Sequence, residues 1–243
     1  MEMNKQIQRL ELFQGVSSET MNKIMKLGKV MKFPKGKQLM RMKEEITSVY
    51  VQLSGKSIIY NLTGTGKRKI LFVCGKGMLL NEHIFNVHVS TVYCETIESS
   101  EILVFPVEEF VKLMAEDFEL TRKIGMAQEK KIWRLGHQLK NTTSSISMER
   151  RLAAKLWKLS KDFGTDTGEG REIGVDLSIT FLADMVGAPR ETISRICKSF
   201  VESGVIMMNK KRIIIRNPER VAMLYKSEQR KLIDVIYKHN KEE

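Results

Sequence analysis

Cysteine, proline and histidine are scarce in this chain. Only four prolines and three cysteines occur among its 243 residues. Cys74, Cys94 and Cys197 lie far apart in sequence and form no CxxC pair, and three cysteines cannot all pair within one chain. A small disulfide-stabilised fold is therefore excluded, and we expect buried, reduced thiols in a reducing cytoplasm.

The few histidines also argue against an enzyme. Metal-dependent enzymes bring two or three histidines and a carboxylate together around one ion. Only His83 and His88 are close in sequence, with Glu82 as the carboxylate beside them. The chain has no Walker-type loop, GxSxG motif or HExxH motif. We therefore predict no catalytic residues, no metal site and no cofactor, and a jelly-roll enzyme is only an alternative.

Long hydrophobic runs are absent as well. No run of about 18 apolar residues could cross a bilayer, and the polar start, MEMNKQIQR, does not resemble a signal peptide. We expect a cytoplasmic protein without a membrane partner. The formal net charge of +12 favours a polyanionic partner, but basic residues are in excess along the whole chain. Charge alone therefore does not locate the binding site.

Two short helices around a tight turn, followed by a basic hairpin, are predicted within residues 178–217. Ser178 can cap the first helix by accepting a backbone N–H bond, and Gly187 allows the positive φ that ends it. Pro189 pre-sets φ for the first turn of the second helix. The buried face of that helix is predicted to comprise Ile193, Ile196, Phe200 and Val201.

The other face of the second helix is charged and polar. It carries Arg190, Glu191, Ser194, Arg195 and Lys198. Arginine and glutamate can pair with guanine and cytosine edges in the major groove. Cap, turn, basic face and hairpin occur in the order of a winged helix-turn-helix, so we predict double-stranded DNA as the partner. An RNA-binding protein would need aromatic stacking platforms, which the basic segments of this region lack.

The same residues resemble a known family. The run RETISR at 190–195, followed by ESGVI at 202–206 and a lysine-bearing hairpin, resembles the DNA-binding domain of the cAMP receptor protein/fumarate-nitrate regulator (Crp/Fnr) family of bacterial transcription factors. LELFQGVS at 10–17, FPKGK at 33–37 and VYVQLSGK at 49–56 resemble its sensor domain. The resemblance covers nearly the whole chain and is more specific in the DNA-binding part.

The resemblance implies an assignment of DNA contacts. Arg190 and Arg195 would contact guanine O6 and N7, and Glu191 would accept a hydrogen bond from cytosine N4. This pattern implies a palindromic operator with TGTGA-like half-sites. Phosphate contacts are expected from polar residues of the two helices and the wing: Ser178, Thr180, Thr192, Ser194, Lys198 and Lys211.

Residues 1–106 are predicted to form an antiparallel barrel. Short strand-like runs are separated by turns such as Pro34-Lys35-Gly36, a spacing typical of a jelly-roll rather than of alternating β/α units. We predict an α+β protein: an N-terminal β jelly-roll like a cyclic-nucleotide-binding domain, a long dimerisation helix and a C-terminal winged helix-turn-helix. The strands are predicted at 30–33, 48–53, 57–62, 68–73, 87–97 and 101–105.

The resemblance implies an effector pocket in this barrel. In cAMP-binding members, a glycine-glutamate segment contacts the ribose and an Arg-Ser pair neutralises the phosphate. This chain keeps Glu82 but has Asn81 in place of the glycine, and Ser90 and Thr91 in place of the Arg-Ser pair. Because the arginine would be the strongest phosphate contact, we expect a small-molecule effector other than cAMP. Ser90 and Thr91 can donate hydrogen bonds to a neutral ligand.

The same barrel allows other modes of sensing. Haem ligated by Cys74, His83 or His88, a thiol redox switch at Cys74 or Cys94, and a ligand-independent regulator remain alternatives. An iron–sulfur centre of the fumarate-nitrate regulator type is excluded. That branch of the family carries an N-terminal cysteine cluster, and the first cysteine here is Cys74.

A long helix over residues 107–140 is predicted to join the two domains. Its heptad-like spacing favours a homodimer, because a two-helix reader gains affinity by binding two half-sites at once. The alternative is an amphipathic helix that lies on its own barrel. Residues 141–147 are predicted to be a hinge, and 148–243 the DNA-binding domain. The dimer seam comprises Phe118, Gly125, Gln128, Ile132, Leu135 and Leu139.

Two further segments are assigned from the sequence. Residues 164–170 form a loop or hairpin that can touch RNA polymerase in the relatives. Residues 220–240 form an extra helix that either covers the flank of the DNA-binding domain or extends the dimer. Together these features predict a homodimeric transcription regulator. Its effector would shift the long helices so that the two recognition helices lie about one turn of DNA apart.

Overall fold

The computed structural model describes residues 2–85, 89–140 and 146–224. The chain divides into two compact units between Gln138 and Leu139. In the described residues, no helix is both long and apolar enough to span a bilayer.

The first unit opens with short helices that pack against strand residues of the barrel. They are α1 (Glu2–Gln8), a single 3-10 turn (Glu11–Phe13) and α2 (Ser18–Leu27). Ser17 caps α2, because its Oγ accepts a hydrogen bond from the backbone N–H of Thr20 at 3.1 Å. Phe13 and Ile24 are buried and pack in one apolar cluster with strand residues such as Leu103.

Seven antiparallel strands form two sheets in the order β1-β7-β3 and β2-β6-β4-β5. Apolar side chains from both sheets fill the interior. This arrangement confirms the predicted α+β fold with an N-terminal jelly-roll. The strands are β1 (Lys29–Phe33), β2 (Gln38–Met40), β3 (Ser48–Ser54), β4 (Ser57–Leu62), β5 (Arg68–Cys74), β6 (Tyr93–Thr96) and β7 (Ser100–Pro106).

The strand predicted over 87–97 is wrong in its first half, since β6 begins only at Tyr93. Before that point, Val89 forms only an isolated antiparallel bridge with Glu45, and the Ser90 hydroxyl and the Thr91 N–H donate to the Glu82 carboxylate. Residues 86–88 lie outside the described residues. Strand β2 was not predicted. It has three residues and pairs with β6, with Met40 opposite Cys94.

The single helix predicted over 107–140 is also wrong. The structure has two helices, α3 (Val107–Glu116) and α4 (Phe118–Lys140), separated by Asp117. Asp117 is extended, with φ −130° and ψ 106°, and its Oδ1 accepts a hydrogen bond from the backbone N–H of Leu120 at 3.1 Å. Asp117 therefore acts as the cap of a new helix instead of continuing the old one.

The second unit contains the remaining elements. They are α5 (Met148–Phe163), β8 (Gly164–Thr167), β9 (Gly170–Ile173), α6 (Ile179–Val186), α7 (Arg190–Glu202), β10 (Ile206–Asn209) and β11 (Arg212–Ile215). The four strands form one sheet in the order β10-β11-β9-β8. Residues 164–170 thus comprise β8, the turn and the first residue of β9, which form a hairpin, one of the two forms predicted.

Two predicted segments fall partly outside the described residues. Of the hinge at 141–147, residues 141–145 are not described, and Ser147 caps α5 by accepting a hydrogen bond from the Arg150 N–H at 3.3 Å. Of the helix predicted at 220–240, only the part up to 224 is described. Helical structure there begins earlier, at Pro218, a residue well suited to the first helical position.

Candidate DNA interface and effector barrel

The turn between α6 and α7 follows from its local sequence. Ser178 caps α6, because its Oγ accepts a hydrogen bond from the Phe181 N–H at 3.1 Å. Gly187 has φ 78°, and its N–H donates to the Ala183 carbonyl at 2.8 Å, which closes the helix. Pro189, with φ −58°, precedes α7. These features confirm the predicted cap and turn.

One face of α7 packs into the domain core. Ile193, Ile196 and Phe200 are buried as predicted. Val201 was wrongly predicted to be buried, since 43% of it is exposed. Cys197 is buried instead. Positions 193, 196, 197 and 200 are spaced by three and four residues and lie on one side of the helix, whereas position 201 lies at the edge of that side. This packing fixes which side chains α7 presents on its outer face.

The outer face of α7 brings together the residues predicted to read bases. Arg190, Glu191 and Arg195 are exposed. A shallow groove between α6 and α7 is lined by Ile179, Arg190, Glu191, Ser194, Arg195 and Lys198. Five of these six side chains belong to the predicted DNA contacts.

The residues predicted to contact phosphates lie around this groove and on the wing. Thr180, Ser194, Lys198 and Lys211 are exposed, whereas Ser178 and Thr192 are half-buried. Lys198 Nζ lies 3.8 Å from Glu202 Oε1, one turn further along α7. The side chain of Ser178 already accepts the capping bond, which leaves its hydroxyl proton to donate outward.

The wing is the β10–β11 hairpin, whose turn contains Lys210 and Lys211. Lys210 adopts φ 55°, the left-handed conformation that a two-residue hairpin turn requires. The Lys211 carbonyl accepts a hydrogen bond from the Leu177 N–H at 2.7 Å. The wing is therefore tied to the residue before the cap of α6, while the Lys211 side chain stays exposed.

Asn81, predicted for the effector pocket, is part of the barrel framework. The residue is fully buried. Its Oδ1 accepts from the Tyr50 N–H at 2.8 Å, and its Nδ2 donates to the Ser48 carbonyl at 2.9 Å. The Asn81 amide is thus engaged with β3 and is not free to bind a ligand.

Glu82, Ser90 and Thr91 come together as predicted, but they bond to each other. Glu82 Oε1 accepts from the Ser90 hydroxyl at 2.8 Å and from the Thr91 N–H at 3.0 Å. Thr91 is exposed, and its Oγ1 lies 3.3 Å from His83 Nε2. Glu82 Oε2 is buried and has no hydrogen-bond partner among the described residues.

Lys131 lies on α4 and packs against this barrel, and it was not among the predicted site residues. It is 7% exposed, and its Nζ donates to the Asn81 carbonyl at 2.7 Å. Burial lowers the pKa of Lys131, although Cys74, Glu82 and Cys94 act nearby in the opposite direction. A signal was present in the sequence. Leu120, Ile124 and Lys131 share the buried stripe of α4, where a lysine is unusual.

The three cysteines are buried and none forms a disulfide. Burial raises the pKa of the Cys94 thiol well above its usual value, and it raises that of Cys197 to about 11. Throughout the described ranges, no group of three or more His, Cys, Asp or Glu side chains is placed to hold a metal ion. Of the histidines considered as haem ligands, His88 lies outside the described residues.

The predicted dimer seam lies on the face of α4 turned away from the barrel. Phe118, Ile132 and Leu139 are 78%, 68% and 74% exposed, and Leu135 is 40% exposed. A side chain at Gly125 would meet open space. Gln128 differs from the others, because its Nε2 donates to the Asn81 carbonyl at 3.2 Å. One face of α4 thus packs on its own barrel and another remains apolar and uncovered.

Family models match both units of the chain. A model of the cyclic nucleotide-binding domain matches residues 30–117, and a model of the Crp-like helix-turn-helix domain matches residues 150–224. The chain belongs to the Crp/Fnr family. It is a transcription regulator with a helix-turn-helix DNA-binding domain, and regulators of this family are generally not enzymes.

Similar proteins align with most of this Crp/Fnr regulator. The "CRP-like cAMP-activated global transcriptional regulator" of Mycobacterium tuberculosis is 24% identical over 221 residues, which cover 90% of this chain and 98% of the relative. The "Fumarate and nitrate reduction regulatory protein" of Escherichia coli is 24% identical over 196 residues, covering 78% and 76%.

Solved structures share the fold. FixK2 from Bradyrhizobium japonicum has a TM-score of 0.71 at 17% identity, covering 82% of this chain and 97% of that one. The c-di-GMP responsive regulator CLP from Xanthomonas campestris also has a TM-score of 0.71, at 18% identity, covering 83% and 100%. Similarity at this level of identity establishes the architecture of this Crp/Fnr regulator.

Proposed function

We propose that this regulator binds a palindromic operator with TGTGA-like half-sites as a homodimer, one α7 in each major groove. The observation that carries the proposal is the outer face of α7. Arg190, Glu191 and Arg195 are exposed together on it and line one groove. Arginine can donate two hydrogen bonds to guanine O6 and N7, and glutamate can accept one from cytosine N4.

Phosphate contacts would hold this helix in register. Thr180, Thr192, Ser194 and Lys198 surround the base-reading residues, and Lys211 extends from the wing. Such contacts add affinity and orientation but carry no sequence information directly. Ser178 would add a further hydroxyl contact at the start of α6.

Dimerisation through α4 would supply the second half-site. The apolar residues at 118, 132, 135 and 139 are exposed on one face of that helix. Burial of this face against the same face of a second copy would remove apolar surface from water. The dimer would then place two recognition helices about one turn of DNA apart.

The barrel would hold a small effector other than cAMP, in a cytoplasmic protein. No arginine occupies the position of the phosphate-binding Arg-Ser pair, where Ser90 and Thr91 stand. The Ser90 hydroxyl is engaged by Glu82, so it does not replace the positive charge of the missing arginine.

The exposed β8–β9 hairpin at 164–170 would contact RNA polymerase.

Fluorescence anisotropy tests this proposal. The protein is titrated onto a labelled palindrome of TGTGA half-sites and onto a scrambled duplex of the same composition, across a series of salt concentrations. We expect the palindrome to bind at least roughly 1000-fold more tightly in the DNA-competent state. Equal affinity for both duplexes, with and without the acids described below, would contradict the operator assignment.

A further inference from the structure

Two buried polar groups of the barrel lack the partners that burial normally requires. Lys131 Nζ has one hydrogen bond, to the Asn81 carbonyl, and it forms no ion pair with any carboxylate that the structure describes. Glu82 Oε1 is satisfied by Ser90 and Thr91. Glu82 Oε2 is buried and has no partner within the described part of the chain.

These two groups are complementary, yet they do not meet. An ammonium bonded to one neutral carbonyl and a buried carboxylate oxygen without a donor both cost free energy in a low-dielectric interior. A direct Lys131–Glu82 ion pair would satisfy both, but the Lys131 side chain is directed to Asn81 instead. A molecule that bridges the two groups needs an anionic oxygen for Lys131 and a hydrogen-bond donor for Glu82.

We propose that the effector of this regulator is a small organic acid that also carries a hydroxyl or amino group. Its carboxylate binds Lys131 Nζ, and its hydroxyl or amino group donates to Glu82 Oε2. The inference rests on the proposed function, in which the barrel holds an effector. It differs from the neutral ligand expected from Ser90 and Thr91, because a buried lysine bonds to Asn81, the residue directly before Glu82.

The position of Lys131 also connects such a ligand to the dimer seam. Lys131 lies in sequence between the predicted seam positions Gln128 and Ile132, within the same helix. An anion that draws its ammonium away from the Asn81 carbonyl therefore acts directly on α4. Lys131 would be both a specificity-determining residue for the effector and the link to the DNA-competent arrangement.

Matched small molecules test the two contacts separately by isothermal titration calorimetry on the full-length protein without DNA. The hydroxy acids are lactate and salicylate. Propionate and benzoate lack the hydroxyl group, and lactamide and salicylamide lack the charge. We expect saturable binding of at least one hydroxy acid, weaker binding of its deoxy partner and none of its amide. An absence of saturable binding by either hydroxy acid, or equal binding of acid and amide, would overturn the proposal.

Three variants complete the test. Lys131→Met should weaken binding of the acid by roughly 30-fold or more, because it removes the cation from a buried pair. Glu82→Gln should make the hydroxy acid bind no better than its deoxy partner. Lys130→Met removes an exposed lysine from the adjacent position of α4 and should leave binding unchanged. Equal binding by Lys131→Met and wild type would contradict the assignment.

The outcome can be separated from that of the operator experiment. Replacement of a buried charge by a methionine of similar length is expected to preserve or raise the melting temperature, so Lys131→Met should remain folded. Acid binding is measured without DNA, whereas operator preference is measured by anisotropy. Acid binding without operator preference would overturn only the half-site assignment, and operator preference without acid binding would overturn only the effector class.

Discussion

Arg190 and Lys211 are both exposed basic residues, but they are predicted to contact different parts of the DNA. Arg190→Ala should cost about 1–3 kcal/mol of discrimination at one G·C pair of each half-site, because it removes a donor to guanine. Lys211→Ala should weaken binding to all duplexes similarly and lower the salt slope by about one unit, because it removes a phosphate contact. Anisotropy with single base-pair variants of the palindrome measures both effects.

The two substitutions serve as controls for each other, since each removes one positive charge from the DNA-binding unit. Unchanged sequence preference in Arg190→Ala would contradict the base-reading assignment. A change of sequence preference in Lys211→Ala would contradict the phosphate assignment.

The buried cysteines lead to a prediction about redox sensing. Because burial raises the pKa of Cys94 and Cys197, both thiols stay protonated at pH 8, and the thiolate is the reactive form. We expect the native protein to react with the thiol reagent DTNB far more slowly than the protein unfolded in guanidinium, which should release three equivalents per chain. Rapid labelling of Cys94 in the native protein would instead favour the thiol switch.

For single residues, a role could be predicted from the sequence where the bonding partner is a near neighbour in the chain. The Ser178 cap and the Gly187 turn could be read from the sequence because their bonds span three or four residues. Helical spacing places Lys131 on the same face as Leu120 and Ile124, but its bond to Asn81, 50 residues away, could not be read from the sequence. Spacing placed Lys131 on a helix, but only the packing of α4 on the barrel shows that its ammonium is buried.

At the scale of helices and strands, the junction of α3 and α4 shows why a helix boundary could not be predicted from the sequence. The chain from 107 to 140 has no proline, and a continuous helix was therefore predicted. Asp117 interrupts it through a tertiary contact, because its Oδ2 accepts from the Ser17 N–H at 3.0 Å. Strand β2 was missed for a related reason. Its three residues show no periodicity, and its partner β6 is more than 50 residues away.

The charge of Asp117 should stabilise this junction in a pH-dependent way. Burial raises the pKa of Asp117, but hydrogen bonds from Ser17, Thr20 and Leu120 outweigh that effect and lower it from 3.8 to about 2. The stabilisation is therefore present above pH 3.8 and is lost as the pH falls towards 2. Asp117→Asn, which mimics the protonated acid, should lower the free energy of unfolding by about 2 kcal/mol at neutral pH.

Urea unfolding followed by circular dichroism measures this difference. The gap between wild type and Asp117→Asn should stay constant from pH 7 to about 4 and then narrow as the pH falls towards 2. Glu108→Gln, an exposed carboxylate of α3, should change the stability by less than about 0.5 kcal/mol. A gap that does not depend on pH would show that the charge of Asp117 is not what stabilises the junction.

At the scale of the whole molecule, α4 has one face buried on the barrel and one exposed apolar face. From the sequence alone, a helix packed on its own barrel and a dimer seam are alternatives for α4. Leu120, Ile124 and Lys131 are buried against the barrel, whereas the positions at 118, 125, 132 and 139, spaced by seven, lie on another face. The packing of α4 on its own barrel is therefore confirmed for one face, and the dimer seam stays a prediction for the other, because an α-helix has a separate face for each.

The exposed face should be required for the dimer but not for the fold. Ile132→Glu places a charge where 68% of the side chain is exposed in the single chain, so the barrel should remain folded. In a dimer the same charge would be buried without a partner, which disfavours association. We expect the variant to sediment as a monomer at micromolar concentration, and to bind the palindromic operator about 100-fold or more weakly, because two linked half-site contacts become one.

Lys130→Gln is the matched control for this prediction. It changes the net charge by the same amount as Ile132→Glu, on the same helix, but at an exposed position two residues away that points to a different side. It should remain a dimer and keep nearly the full operator affinity. If Ile132→Glu also stayed dimeric, α4 would not be the seam, and another surface would have to bring two recognition helices onto one operator. Loss of helical signal in Ile132→Glu would show instead that position 132 supports the fold, contrary to its exposure.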